Sequence, residues 1–181
     1  MEATNTFVAL LRGINVAGKN KLVMAELRSL LSSLGFEDVV TYIQSGNVVF
    51  RSPDGDADQI SATIEREIAT VFGMDPAVLL RKPSELEEIV ERNPYRTRTD
   101  LSKLHVVFLD RTPAASAPKE LDPGRSPPDE FTLRGREIYL HLPNGAGRSR
   151  LTIDYFERRL GVRATARNWN TLLRLLALCR R

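Results

Sequence analysis

A short basic segment, residues 12–21, carries side chains suited to binding an anion, and we call it the basic loop. Guanidinium and ammonium groups attract phosphate or carboxylate, and amides add directed hydrogen bonds. Glycines at positions 13 and 18 allow a positive φ and a close approach of ligand to backbone. The segment is not a Walker motif, because the required hydroxyl residue and spacing are missing after its second glycine. A solvated loop without a ligand is the alternative interpretation. The candidate ligand-binding residues of this segment are Arg12, Asn15, Lys19 and Asn20.

Three further polar groups occupy predicted turns. A turn around Ser45 and Gly46 carries Gln44, Ser45 and Asn47, although a tight turn without a ligand explains these residues equally well. A glycine-rich turn at residues 144–150 includes Arg148 and leads into a helix, which resembles an anion site at a helix N-terminus. The last group, at the start of the final predicted helix, surrounds Trp169 and consists of Arg167, Asn168, Asn170 and Thr171. Asn168 also suits a simple N-cap, and Trp169 suits a core anchor.

The elements predicted around the first groups follow the order β-α-β-β-α-β. Residues 7–11 form an uncharged apolar strand, and residues 24–35 have helical spacing closed by glycine. A hairpin at 37–50, a helix at 60–73 and a strand at 77–80 complete a ferredoxin-like α+β unit. In that arrangement the loop after the first strand and the hairpin turn lie at the same end of the sheet. We therefore expect the basic loop to lie beside residues 44–47.

The second half repeats the same order of elements and adds a C-terminal helix. A helix at 84–93, with a capping box from Ser84 to Glu87, precedes a polar bridge that ends at residue 103. We predict two ferredoxin-like units in tandem, with domains at 1–93 and 104–181. The predicted elements of the second are a strand at 104–110, a short helix at 114–121, a hairpin at 131–142, a helix at 152–160, a strand at 162–165 and a helix at 169–178.

Composition limits the class of protein. The chain has 181 residues and a net charge of +3, but residues 1–133 carry a balance of −5 and residues 134–181 one of +8. The basic C-terminal part suits nucleic acid or an anionic ligand, or simply reflects arginines on amphipathic helices. No segment is apolar enough to span a membrane, and no secretory signal begins the chain. The single cysteine, Cys179, excludes an internal disulfide, so we expect a cytoplasmic protein.

Most catalytic signatures are missing. The two histidines, His105 and His141, both lie in apolar predicted strands, where a structural role is the usual one. The sequence has no paired His and Cys spacing for a metal, no GxSxG elbow and no GxGxxG after the first strand. We predict neither a metal nor a cofactor.

The chain closely resembles a bacterial family known as domain of unknown function 1697. The similarity runs nearly end to end, through LLRGINVAGKNK, TYIQSGNVVF, LHLPNGAGRS and TARNWNT. The family usually has a second glycine where Ala17 stands in this chain. The resemblance implies an α+β fold with ferredoxin-like units and a cytoplasmic location, but no reaction, cofactor or catalytic residue.

Three functions are compatible with these residues. The first is the binding of a small anionic ligand, a nucleotide or a phosphorylated metabolite, where the polar clusters of the two halves face each other. The second is an RNA-binding module, although the expected basic and aromatic signature is absent from the third strand. The third is an enzyme acting on a phosphorylated or carboxylated small molecule, with Arg12 or Arg167 stabilising charge. The chain would act as a monomer, or as a homodimer through its apolar last helix.

Overall fold

The protein is a mixed α/β chain with two four-stranded antiparallel sheets. The computed structural model describes residues 5–16, 18, 21–53 and 55–181. Within them the chain forms five α-helices and divides into two units. The first unit comprises the described residues up to Glu87 together with Leu175–Arg181, and the second is Glu88–Arg174. Each of the two boundaries between the units falls inside a helix, so two helices have one end in each unit.

The first sheet has the strand order β2-β3-β1-β4. The elements are β1 (Asn5–Leu11), α1 (Met24–Ser33), β2 (Glu37–Tyr42), β3 (Asn47–Ser52), α2 (Ala57–Phe72), β4 (Val78–Arg81) and α3 (Pro83–Glu91). One face of the sheet, including Phe7 and Phe50, packs on α1 and α2 through residues such as Leu27 and Ile64. The alternation of the strands and the 3.6-residue spacing of the helices place these apolar groups in one core. The predicted elements of this half are confirmed to within a few residues.

The edge strand β2 is irregular. Its register with β3 shifts between Glu37 and Val40, and Asp38 between them has a φ of 49°. A bulge of this kind bends a strand and interrupts its ladder of hydrogen bonds. The Asp38 carboxylate pairs with Arg51 of β3 at 2.9 Å, so the bulge exposes charge on this side of the sheet.

The second sheet has the equivalent order β6-β7-β5-β8. Its elements are β5 (Leu104–Leu109), β6 (Glu130–Arg134), β7 (Glu137–His141), α4 (Ile153–Leu160), β8 (Ala164–Asn168) and α5 (Trp169–Cys179). The short helix predicted at 114–121 forms only as a 3-10 turn, Ala117–Glu120, because the prolines at 113, 118 and 123 interrupt α-helical hydrogen bonding.

Two other local predictions are also corrected. The capping box at Ser84 is wrong, because α3 begins at Pro83 and the reciprocal bond runs from Lys82 N–H to Glu85 Oε2 at 2.7 Å. The strand predicted at 162–165 lies further along the chain, and it ends at Asn168. The sequence prediction stopped early because an arginine is rarely buried in a strand.

Within the described residues, no helix combines the length and the apolar character needed to cross a bilayer.

Candidate functional site

Asn15 joins the basic loop to the β2–β3 turn. Its side-chain amide donates to the carbonyl of Leu22 at 2.9 Å and to the carbonyl of Gln44 at 2.8 Å. Its Oδ1 accepts the Leu22 N–H at 2.9 Å, so Asn15 and Leu22, on either side of the intervening segment, are joined directly. Asn15 has a φ of 55°, a left-handed conformation that asparagine adopts more readily than most residues. In this structure Asn15 therefore positions the loop with all three of these bonds.

The turn also packs directly on the end of β1. The Leu11 N–H donates to the Gly46 carbonyl at 2.8 Å. Gly46 has a φ of 72°, and a Cβ built there would lie 2.7 Å from the Cβ of Leu11. The expected proximity of the basic loop to residues 44–47 is therefore confirmed, and it depends on a glycine that no other residue can replace without movement.

The polar side chains around this junction differ in their access to solvent. Gln44 and Ser45 are exposed, whereas Asn47 is fully buried and donates to the carbonyl of Tyr42 at 3.1 Å. Arg12 is half-buried at the base of the loop, where its backbone N–H donates to the Ala77 carbonyl. Two predicted ligand-binding residues, Lys19 and Asn20, lie outside the described residues.

The same junction contains the start of helix α1. Val23 occupies the N-cap position and forms no side-chain hydrogen bond to the first turn. An apolar N-cap leaves the first N–H groups of a helix without a side-chain acceptor, and these groups favour negative charge. Lys21 lies two residues before this cap and is exposed. The carboxylate of Glu26 is the acidic group of the first turn.

In the second unit, β7 leads into a loop and β8 leads directly into α5, and both strands finish at the same end of the sheet. Each of these strand ends is tied to the 3-10 turn Leu101–Lys103 that precedes β5. The Leu142 N–H donates to the Lys103 carbonyl at 2.8 Å, and Asn168 Nδ2 donates to the Ser102 carbonyl at 3.0 Å. Arg148 is exposed in the loop after β7.

Arg167 is part of the sheet rather than of a loop. Only 8 % of it is exposed, and its Nη1 donates to Thr165 Oγ1 at 2.7 Å and to the Ala166 carbonyl at 2.8 Å. Burial lowers the pKa of Arg167 to about 10, which still leaves it charged at neutral pH. Arg81, at the equivalent place in β4, is also buried and donates to the carbonyl of the preceding residue. The two arginines lie opposite Val106 and Val8, respectively, in the strand register.

The residues after Arg167 anchor the last helix. Asn168 Oδ1 accepts the Asn170 N–H at 3.0 Å, which is the bond of an N-cap. Trp169 is buried and its ring lies 6.5 Å from that of Tyr139. Asn170 is exposed and Thr171 is half-buried. A role for these two side chains in binding stays a prediction.

Sequence reasoning missed a polar cluster on β6 and β7. The Glu130 carboxylate lies 3.0 Å from His141 Nδ1 and 2.8 Å from Arg98 Nη2. The Tyr95 hydroxyl contacts Thr132 Oγ1 at 3.1 Å, and burial raises the pKa of Tyr95. Glu130 and His141 are direct partners across two antiparallel strands, and this pairing could have been found by aligning the predicted hairpin.

Among the described residues, no three His, Cys, Asp or Glu side chains are grouped so that they could hold a metal ion. The remaining histidine, His105, has its pKa lowered by burial, which favours the neutral ring at pH 7.

Cys179 is a candidate nucleophile, but its surroundings in the fold lower the reactivity of its thiol. Burial raises the pKa of its thiol to about 11, and the thiolate is the reactive form.

We expect iodoacetamide to label native Cys179 about a hundredfold more slowly than a free cysteine at pH 8. The rate should rise as the pH approaches 11. Protein unfolded in urea is the control and should react at the ordinary rate. Equal rates for folded and unfolded protein would contradict a raised pKa of the Cys179 thiol.

Residues 4–139 match the family described as protein of unknown function (DUF1697). The chain belongs to the DUF1697 family. This DUF1697 chain is also similar to the solved structure of the conserved bacterial protein SP0830 from Streptococcus pneumoniae, with a TM-score of 0.74 and 26% identity. The similarity covers 98% of this chain and 99% of the other. No curated protein matches the chain. The resemblance found in the sequence motifs is confirmed.

Proposed function

We propose that the first unit binds a small anionic ligand, a nucleotide or a phosphorylated metabolite, between the basic loop and the β2–β3 turn. The observation that carries this proposal is the set of three hydrogen bonds made by the Asn15 side chain. They tie the described part of the loop, with Arg12 before Asn15 and Lys21 after it, to a turn with exposed amide and hydroxyl groups, which reduces the cost of ordering these groups when a ligand binds.

The charge and dipole of this junction support an anion in particular. Lys21 is exposed next to the N-terminus of α1, whose N-cap residue Val23 supplies no side-chain hydrogen bond to the first turn. A bound phosphate could accept from these N–H groups while the ammonium group balances its charge. Ser45 and Gln44 would supply further polar contacts. Lys19 and Asn20 belong to the proposal on the basis of the sequence alone.

We also infer that each unit is ferredoxin-like. The antiparallel strand orders β2-β3-β1-β4 and β6-β7-β5-β8 support this inference. In the second unit a proline-rich segment with a 3-10 turn replaces the first helix. The predicted domains at 1–93 and 104–181 and the predicted cytoplasmic location stay proposals.

RNA binding is the weaker candidate for this chain. Single-stranded bases are usually held on exposed aromatic rings. The large apolar side chains that are exposed in the described part of the chain are Val16, Val23, Val40, Ile43 and Val71, all of them aliphatic.

A thermal-shift screen tests the anion site. ATP, ribose 5-phosphate, inorganic phosphate and a short RNA would each be added to the wild-type protein. A ligand at a hundred times its Kd adds about 2.7 kcal/mol of stability, which corresponds to a shift of about 5–10 °C in Tm for a chain of this size.

The variant Lys21→Gln identifies the site of such a hit. We expect it to reduce the shift, because it removes one cation at the loop. Lys119→Gln is the matched control, since Lys119 is an exposed lysine in the second unit. Equal shifts in both variants, or no shift with any phosphorylated compound, would contradict the proposed site.

A further inference from the structure

A second basic site lies in the second unit and uses none of the residues of the site proposed above. Arg125, Arg158 and Arg159 line a cavity of about 410 Å³ together with Tyr155. No carboxylate of the described residues lines it. Within the described part of the chain none of the three arginines forms an ion pair with a carboxylate.

The fold fixes the centre of this cavity through Tyr155. Its backbone N–H donates to Thr152 Oγ1 at the start of α4, at 3.2 Å. Its hydroxyl accepts the Asp122 N–H at 2.7 Å, so the ring is held at both ends. The guanidinium of Arg125 lies 4.1 Å from the centre of this ring, a cation–π distance.

Each arginine is oriented by one contact and keeps other donors available. Arg125 Nε donates to the Arg150 carbonyl at 2.8 Å, and Arg158 Nε donates to the Asp154 carbonyl at 3.1 Å. Arg159 lies over the Tyr155 ring at 5.9 Å. These contacts use either the Nε or the flat face of a guanidinium. The terminal Nη groups therefore remain available to donate to a ligand.

The helix dipole explains only part of this arrangement. Arg158 and Arg159 lie in the last turn of α4, where cations are generally favourable. That effect does not require a third arginine from a separate loop. Arg125 is placed beside them by its hydrogen bond to the Arg150 carbonyl and by its contact with the ring of Tyr155. Three positive charges therefore lie close together at this cavity.

We propose that this cavity binds the phosphoryl group of a small molecule, either a diphosphate or a phosphate monoester. Planar guanidinium groups match phosphate oxygens in pairs, and three of them suit an anion of charge two or more. The volume fits a small ligand. The Tyr155 ring is covered by Arg125, so it does not offer a free face for stacking a nucleobase. The proposal is independent of the proposed function, because it uses other residues in the other unit.

Titration calorimetry with sodium pyrophosphate tests this inference. The double variant Arg158→Gln and Arg159→Gln should bind pyrophosphate at least tenfold more weakly than the wild type. A second double variant, Arg96→Gln and Arg174→Gln, is the matched control. It removes two exposed arginines of the same unit that do not line the cavity, so its Kd should stay within about twofold.

A measurement without substitutions guards against a folding effect. The side-chain Nε–Hε signals of Arg125, Arg158 and Arg159 should shift in the NMR spectrum of the wild-type protein when pyrophosphate is added. The variant Lys21→Gln should leave both the shifts and the Kd unchanged, which separates this site from the one in the first unit.

Three results would overturn the inference. They are absence of pyrophosphate binding by the wild type, equal weakening in the two double variants, and NMR shifts confined to other arginines. If the first result came with binding of a short RNA, the ligand would be an extended polyanion.

Discussion

Replacing Gly46 by alanine should destabilise the first unit by about 3 kcal/mol or more. The new methyl group would lie 2.7 Å from the Cβ of Leu11, which is fully buried in β1 and cannot move away cheaply. The positive φ adds backbone strain to this clash. Urea unfolding followed by circular dichroism would measure the loss.

Gly13→Ala is the control for the clash. Gly13 has nearly the same φ, 70°, but an added Cβ there meets nothing within 4 Å. We expect a loss of only about 1 kcal/mol from strain. If Gly46→Ala proved as mild as Gly13→Ala, the close packing of the turn on β1 would be contradicted.

Replacing Asn15 should separate the basic loop from the turn. Asn15→Gly removes all three side-chain hydrogen bonds while allowing the positive φ, and it should cost about 2–3 kcal/mol. Asn15→Ala should cost about 1 kcal/mol more, because alanine is strained at this φ. The Leu22 amide should exchange its hydrogen faster in both variants, since it loses its acceptor on Asn15.

Asn144→Ala provides the comparison for this pair. Asn144 is exposed in a loop of the second unit, and its replacement should change stability by no more than about 0.5 kcal/mol. Unchanged protection of Leu22 in Asn15→Gly would show that the loop is held by other contacts. If the proposed function is right, the Asn15 variants should also lose ligand affinity at temperatures where they remain folded.

The first unit could be predicted well because its signals are local. The helix α2 ends at Gly73 as predicted, and this glycine has a left-handed conformation. The proximity of the basic loop to residues 44–47 followed from the order of elements alone. What sequence could not supply was the role of Asn15, because its partners lie 7 and 29 residues away.

The second unit was harder to predict because residue types reveal neither the burial of a charged side chain nor the path of an irregular segment. Arg167 was assigned to a binding loop, yet it lies buried in β8, where its Nη1 donates to neighbouring groups of the same strand. Its chemical type gave no sign of this burial. Similarly, Arg125 contacts Tyr155 because of the path of a proline-rich segment that has no periodic sequence pattern. The basic cavity therefore could not be predicted from the spacing of residues.

The irregular β2 edge bears on how the protein behaves when it is concentrated. A regular exposed strand offers a continuous row of N–H and C=O groups to the strand of another molecule, and this is how sheets grow into polymers. At β2 the bulge between Glu37 and Val40 breaks that row, and the Asp38–Arg51 pair lies beside the break. A foreign strand would lose hydrogen bonds and have to displace charge in order to align there. The bulge therefore disfavours aggregation through this edge of the first sheet.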